Sequence, residues 1–141
     1  MIKESSIKTG VIANSWEEAI VESGRLLEEA GSCTSAYTEA MVQSVKDLGP
    51  YIVITPHVAL AHARPSETVK ENDISLTVLK EPVMFNHKDN DPVSLVFAFC
   101  AKDNDGHLEQ LTKLAGPLSD TQTVAALSKA TNADEVLQLL K

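Results

Sequence analysis

Three features predict an α/β fold, a single domain whose mixed sheet is sandwiched between helices. The run over residues 93–101, Val-Ser-Leu-Val-Phe-Ala-Phe-Cys-Ala, is almost wholly apolar, as in a central strand covered on both faces. Helical patterns precede it and follow it, so both faces can be covered. The strand-like runs 74–79 and 93–101 also lie too close together for a helix between them, which requires a mixed sheet rather than a purely parallel one. At 141 residues, 43% apolar and 23% charged, the chain is long enough to bury a core, and no repeats or low-complexity tracts interrupt it.

Ser15-Trp16-Glu17-Glu18 reads as a capping box, with Trp16, Ala19, Ile20, Leu26 and Leu27 on one face of a helix that stops near Gly31. A second helix starts at Thr34 or Ser35 and carries Tyr37, Ala40, Met41, Val45 and Leu48 at helical spacing. It ends at Gly49-Pro50, where glycine allows a left-handed cap and proline blocks continuation. These two helices are expected to precede the first strand. Three β-rich runs follow, at 51–54, 74–79 and 93–101, separated by Pro, Asn, Asp and Gly clusters. After the loop 102–106, Leu108, Leu111, Leu114 and Ala115 mark a helix. Asp120 can cap another, and Asn132-Ala133-Asp134-Glu135 opens a last one with Val136, Leu139 and Leu140 inward.

Twelve basic against twenty acidic residues give a net charge of -8, and no basic run could follow a phosphate backbone, which excludes nucleic acid as a partner. No apolar stretch approaches the roughly 20 residues needed to cross a bilayer, and the N-terminus lacks a signal-peptide core, so a soluble cytoplasmic protein is expected. The two cysteines, Cys33 and Cys100, form neither a disulfide framework nor a metal pair by spacing, which favours reduced, structural thiols.

The chain has no Gly-rich phosphate loop, no Cys-x-x-Cys and no Gly-x-Ser-x-Gly, so its chemistry falls to the histidines: His57, His62, His87 and His107. His62 ends a short apolar run, has small neighbours and stands two residues before Arg64. His107 follows the polar loop after the strongest strand and stands near the start of a helix, where α/β proteins place their sites. Two imidazoles at strand ends beside an arginine suit phosphoryl chemistry. Neutral imidazole is a nucleophile near pH 7, a second histidine and helix amides can hold phosphoryl oxygens, and Arg64 can offer a fork to them. On composition alone, half-buried histidines at strand ends and a surface arginine are the commoner reading. A metal site is the rival, but only His57 and His62 lie close in sequence and no acidic or cysteine cluster joins them. His87, in a turn-rich polar segment, reads as an exposed loop residue.

The segment Ala59-Leu60-Ala61-His62-Ala63-Arg64-Pro65 resembles the active-site segment of the IIA components of the bacterial phosphoenolpyruvate-dependent sugar phosphotransferase system, of the mannitol and fructose class. Together with Gly49-Pro50-Tyr51 and Phe85-Asn86-His87-Lys88-Asp89-Asn90-Asp91-Pro92-Val93, it is most similar to the ascorbate-specific branch. The resemblance covers nearly the whole chain and implies one domain over 1–141 with a five-stranded mixed sheet. It implies a phosphocarrier in which His62 takes a phosphoryl group from the carrier protein HPr and passes it to a cysteine of a IIB component. His107 then stabilises the phosphoryl group, the membrane IIC component is met only indirectly, and a homodimer stays open. No metal or organic cofactor is called for. Three positions depart from the mannitol-type pattern: Ser44 stands near a helix arginine of those proteins, His57 where relatives tend to have glycine, and Ala61 where proline precedes the histidine. A regulatory module on the same fold, signalling by its phosphorylation state, is the alternative. An acidic or mixed rim with an apolar patch at Val58, Leu60 and Ala63 is the expected partner contact.

Overall fold

Every strand position from 95 to 100 has a neighbour to satisfy on one face or the other, and this organises the layers seen in the computed structural model, which describes residues 2–141. The sheet holds β1 (Ile7–Val11), β2 (Val53–Thr55), β3 (Val58–Ala61), β4 (Asp73–Val83) and β5 (Val93–Cys100), in the order β1-β4-β5-β3-β2. It is mixed, as expected: β1 runs parallel to β4 and β3 parallel to β5, while β4 with β5 and β2 with β3 are antiparallel.

Helices α1 (Trp16–Glu29) and α2 (Ser35–Leu48) cover one face; α3 (Asn104–Leu118), α4 (Thr121–Ser128) and α5 (Ala133–Leu139) cover the other. Strand alternation sends Val96, Ala98 and Cys100 of β5 to the first face and Leu95, Phe97 and Phe99 to the second. In β3 it sends Ala59 and Ala61 to the first, and Val58 and Leu60 to the second. The first face is therefore floored by small side chains, Ala59, Ala61 and Ala98 with the buried Ser75 and Thr77, and α1 lies close on it. Ser23 Oγ is 2.7 Å from Thr77 Oγ1 and 2.9 Å from the Val96 carbonyl, and Ser75 Oγ donates to the Ser23 carbonyl at 2.8 Å. The second face is built on large residues, each contributing about 1.5–3 kcal/mol when fully buried.

The helix signals hold. The Ser15 hydroxyl accepts from the Glu18 amide, although the Glu18 carboxylate reaches back to Asn14 rather than to Ser15. Asp120 and Asn132 cap α4 and α5 through Gln122 and Glu135, and Gly49 ends α2 with φ 86°. The strand readings need correction. After a 3-10 turn at Glu4–Ser6 comes β1, ahead of both helices; Ile-Lys-Thr-Gly-Val carries only two apolar residues and its pairing is supplied entirely by β4. Tyr51 and Ile52 form a turn after Pro50, leaving only Val53–Thr55 as a strand, and the run at 58–61 is a strand of its own. β4 continues past Leu79 through exposed Lys80, Glu81 and Pro82 to pair Val83 with Val93. Of the residues that mark α2 and α3 by their spacing, Leu48 and Leu108 point to solvent, 72% and 65% exposed, and Ala40 and Ala115 are exposed as well.

Helix α1 approaches α2 closely at Gly24, where a methyl group would lie 2.5 Å from Thr38 Oγ1 and 2.6 Å from its Cγ2. Thr38 is held in place by a 2.6 Å bond to the Glu28 carboxylate. Overpacking of this kind costs about 1–3 kcal/mol, against about 1 kcal/mol gained by alanine in helix propensity. Gly24→Ala is expected to lower unfolding free energy by up to about 2 kcal/mol in urea titration; a variant more stable than the parent would show that α1 and α2 can separate freely.

Candidate active site

His62 follows directly on β3, and its parity in that strand sends its ring to the α3 side of the sheet, where Phe99 also points. The Phe99 ring stacks on the imidazole, centroids 5.0 Å apart and planes at 18°. His107, the fourth residue of α3, meets His62 edge-on at 5.2 Å and Phe99 at 5.1 Å. Tyr51, in the turn after α2, closes the other side, also edge-on, at 5.6 Å. The structure thus brings together the two histidines singled out from sequence and adds two aromatic residues to them.

The ring of His62 is fixed in orientation and tautomer. Its Nδ1 lies 2.7 Å from the Leu60 carbonyl oxygen, an acceptor only, so Nδ1 carries the hydrogen and Nε2 keeps its lone pair. The backbone around it is fixed by Tyr37 of α2. That buried hydroxyl donates to the Phe99 carbonyl at 2.8 Å and accepts the Ala63 amide at 3.0 Å, tying the residue after His62 to the residue stacked upon it. Burial raises the Tyr37 phenol well above its usual range, so it stays protonated as this clip requires.

His107 is placed by its helix start. Asp103 caps α3, its carboxylate accepting the Gly106 amide at 2.7 Å, and Gly106 lets Asn72 approach where a Cβ would sit 2.6 Å from the Asn72 amide nitrogen. Asn72 in turn accepts the Lys102 amide at 2.8 Å, binding the loop before α3 to the end of the sheet. The start of this 15-residue helix lies at His107, its positive end offset in part by the Asp103 and Asp105 carboxylates. Arg64 is exposed, two residues beyond His62.

The other two histidines lie elsewhere. His57 and His62 flank β3, so about 16 Å of extended chain separates them at 3.3 Å per residue, and the sequence-adjacent pair is no metal pair. Among the described residues, no group of three or more His, Cys, Asp or Glu side chains could hold a metal ion. His57 takes φ 73°, a left-handed conformation that favours glycine, and its Nδ1 lies 2.8 Å from the Pro92 carbonyl. His87 is not a plain loop residue: its Nδ1 accepts the amides of Asp89 and Asn90 at 3.2 and 3.1 Å and so shapes the turn. Tyr37, Tyr51 and Phe99 were not legible as site residues, because their roles depend on strand parity and on where α2 crosses the sheet.

Comparisons with known proteins identify the family and the fold. The family described as "Phosphoenolpyruvate-dependent sugar phosphotransferase system, EIIA 2" matches residues 1–141. An "Ascorbate-specific PTS system EIIA component" of Salmonella choleraesuis (strain SC-B67) is 36% identical over 141 residues, 99% of this chain and 92% of that protein. Among solved structures, the crystal structure of IIA mannitol from Escherichia coli superposes with a TM-score of 0.89 at 28% identity, covering 100% of this chain and 99% of that one. The complex of enzyme IIA mannitol with phosphorylated enzyme IIB mannitol from the same organism gives 0.89 at 27% identity, covering 99% and 96%.

Burial holds the His62 imidazole below its ordinary value of 6.5; the hydrogen bond to Leu60 works the other way, and nearby His107 adds to the lowering. Burial lowers His107 as well. Both are therefore neutral at pH 7. A histidine depressed in the folded state favours folding fully above the unfolded pKa and loses that contribution as pH falls below it. We expect NMR titration midpoints for both rings below 6.5 and a stability that declines from pH 7 toward pH 5. A midpoint for His62 above 6.5 would overturn the assignment of burial as the dominant cause.

Proposed function

Because the chain belongs to the EIIA type 2 family of the phosphoenolpyruvate-dependent sugar phosphotransferase system, we propose that it is a cytoplasmic phosphocarrier that takes a phosphoryl group on His62. The donor is phospho-HPr and the acceptor is a cysteine of a IIB component. The system it serves imports L-ascorbate or a related sugar acid, a reading supported by the ascorbate-specific relative. The observation that carries the chemistry is the His62 ring itself, locked through Nδ1 with Nε2 left as the nucleophile.

The Nε2 lone pair attacks phosphorus while the nitrogen–phosphorus bond to the HPr histidine breaks. The ring then bears a positive charge, which the Leu60 carbonyl stabilises through Nδ1–H. Phe99 holds the plane of the ring, so Nε2 meets the donor in one orientation. This reading assigns the phosphoryl oxygens to His107, edge-on to His62, and to the free amides at the start of α3, with Arg64, two residues beyond His62, as a further partner. Transfer onward is the reverse displacement: the IIB thiolate attacks phosphorus, the nitrogen–phosphorus bond breaks, and Nε2 recovers its lone pair. A buried neutral imidazole suits both directions, since it accepts at neutral pH and is a good leaving group once charged.

Support for a protein docking at this end comes from apolar exposure. Val58, Leu60 and Ala63, the patch expected from sequence, are 0%, 2% and 8% exposed and cannot form it, because both faces of β3 are covered. Tyr51, 41% exposed, and Leu108, 65% exposed, flank the two histidines instead and form the apolar part of the contact. The mannitol protein of the same fold is known in complex with phosphorylated IIB.

With phosphoenolpyruvate, Enzyme I and HPr, one acid-labile phosphoryl group is expected per chain, absent in His62→Ala; label persisting in that variant at His57 or His107 would sink the assignment. His107→Ala should still be labelled but slowly, with a loss of about 2–4 kcal/mol in transition-state stabilisation, and wild-type rates in both half-reactions would make His107 structural only. The encounter is expected to be small and steered by charge, at or below roughly 1,200 Å². Stopped-flow transfer from phospho-HPr should therefore slow as sodium chloride shortens the Debye length from about 10 Å at 0.1 M. A rate independent of salt would assign the acidic surface to solubility alone.

A further inference from the structure

Two nucleophilic groups are left unused by phosphoryl transfer, and the fold places them together. Cys33 lies just before α2, bridged to Val69, and Cys100 ends β5; both are free, buried and part of the same core cluster. The Cys100 sulfur lies 3.4 Å from the Glu71 carbonyl and 3.9 Å from that of Ser32, the neighbour of Cys33. The Ser32 carbonyl immediately precedes Cys33, so this contact sets the two cysteines at neighbouring positions under the short segment that runs through Glu71. The pairing is not incidental to the site. Cys100 follows Phe99, whose ring stacks on His62 and touches His107 and whose carbonyl takes the Tyr37 hydroxyl hydrogen.

We propose that Cys33 and Cys100 are a modification site, a thiol pair that a hydroperoxide closes to a disulfide and that thereby slows phosphoryl acceptance at His62. The second half rests on the function proposed above. Neighbouring Cys100 draws the Cys33 thiol below its usual range, against burial and the nearby Glu28 and Asp73 carboxylates. Cys33 and burial raise the Cys100 thiol, so it keeps its proton, which it donates to the Glu71 carbonyl. One sulfur is thus disposed to attack and the other brings the proton that its leaving group needs.

The Cys33 sulfur takes the terminal oxygen of the hydroperoxide: a sulfur–oxygen bond forms, the oxygen–oxygen bond breaks, and water or an alcohol leaves with the thiol proton. The Cys100 sulfur then attacks the sulfenic sulfur; the sulfur–sulfur bond forms, the sulfur–oxygen bond breaks, and hydroxide leaves as water with the Cys100 proton. Two electrons pass from the sulfur pair to the peroxide. Access comes by local opening: Lys70, Glu71 and Asn72 above the buried pair are exposed, and the segment is tied to residues 32–34 by an isolated bridge and a few backbone bonds. A disulfide holds its sulfurs about 2.05 Å apart, far inside non-bonded contact. Closing it draws the end of β5 toward residues 31–34 and shifts the Phe99 platform.

The test treats the folded, full-length protein with hydrogen peroxide, then follows intact mass, non-reducing peptide maps, the His62 ring resonances and the rate of labelling by phospho-HPr. A Cys33–Cys100 linkage is expected with a loss of two hydrogens, moved His62 resonances and labelling slowed at least tenfold, all restored by dithiothreitol. Cys33→Ala should label at the parent rate with or without peroxide. Failure to form the linkage, or a linkage that leaves the His62 resonances and the rate unchanged, overturns the proposal. If the reduced protein takes no phosphoryl group at all, the functional reading fails, while the peptide map and the resonances still decide the pairing and its reach.

Discussion

The alternation of β5 is the constraint on which the remaining structure depends. Its even positions, Val96, Ala98 and Cys100, meet α1 and α2; its odd positions, Leu95, Phe97 and Phe99, meet α3 to α5. The strand also pairs on both edges, with β4 and with β3. It therefore has no free backbone and no free face, and every other layer is positioned against it. The small residues on one side admit α1 closely enough for Ser23 to bond the strand's own carbonyl at Val96, while the large residues on the other hold the C-terminal helices at a distance. At its C-terminal end the same alternation presents Phe99 as the surface on which the reacting imidazole lies.

Reactivity at His62 comes from a balance between burial and exposure. Removing the ring from water keeps it neutral, and a neutral imidazole has the lone pair that attack on phosphorus requires. Full burial would deny access to a donor protein, so the ring is only half covered, with Tyr51 and Leu108 left open around it. The Leu60 carbonyl resolves the conflict over charge. It sits on the nitrogen that does not react, and it is ready to stabilise the cation once the other nitrogen is substituted. The Tyr37 hydroxyl keeps these parts in register by joining Ala63 to Phe99 across the gap between β3 and β5.

Much of this was legible where local chemistry decides. The caps at Ser15, Asp120 and Asn132, the stop at Gly49-Pro50 and the doubly covered strand β5 follow from short-range rules, and the structure keeps them. The strand β1 was not legible, since Lys8, Thr9 and Gly10 give it no apolar pattern and only its place beside β4 makes it a strand. Leu108 helped to mark α3 by its spacing, yet it stands in solvent, because helical spacing alone does not say which side of a helix meets the sheet. His62 and His107 could be chosen from their neighbours, whereas Tyr37, Tyr51 and Phe99 could not, because a role defined by contact across three elements has no local signature. The departure at position 57 becomes intelligible only with its φ of 73°, where a glycine costs nothing and a histidine must be anchored through Pro92.

The four-residue length of β3 has a consequence for how such a chain can change over generations. His62 shares its face with Val58 and Leu60, so one residue inserted or lost between Val58 and His62 would turn the imidazole to the α1 side, away from Phe99 and His107. The overhang of β4 through Lys80, Glu81 and Pro82 carries no such parity, being exposed and already shifted in register. Insertions and deletions are thus free to accumulate at the far tip of β4, while the spacing through β3 is held to whole pleats.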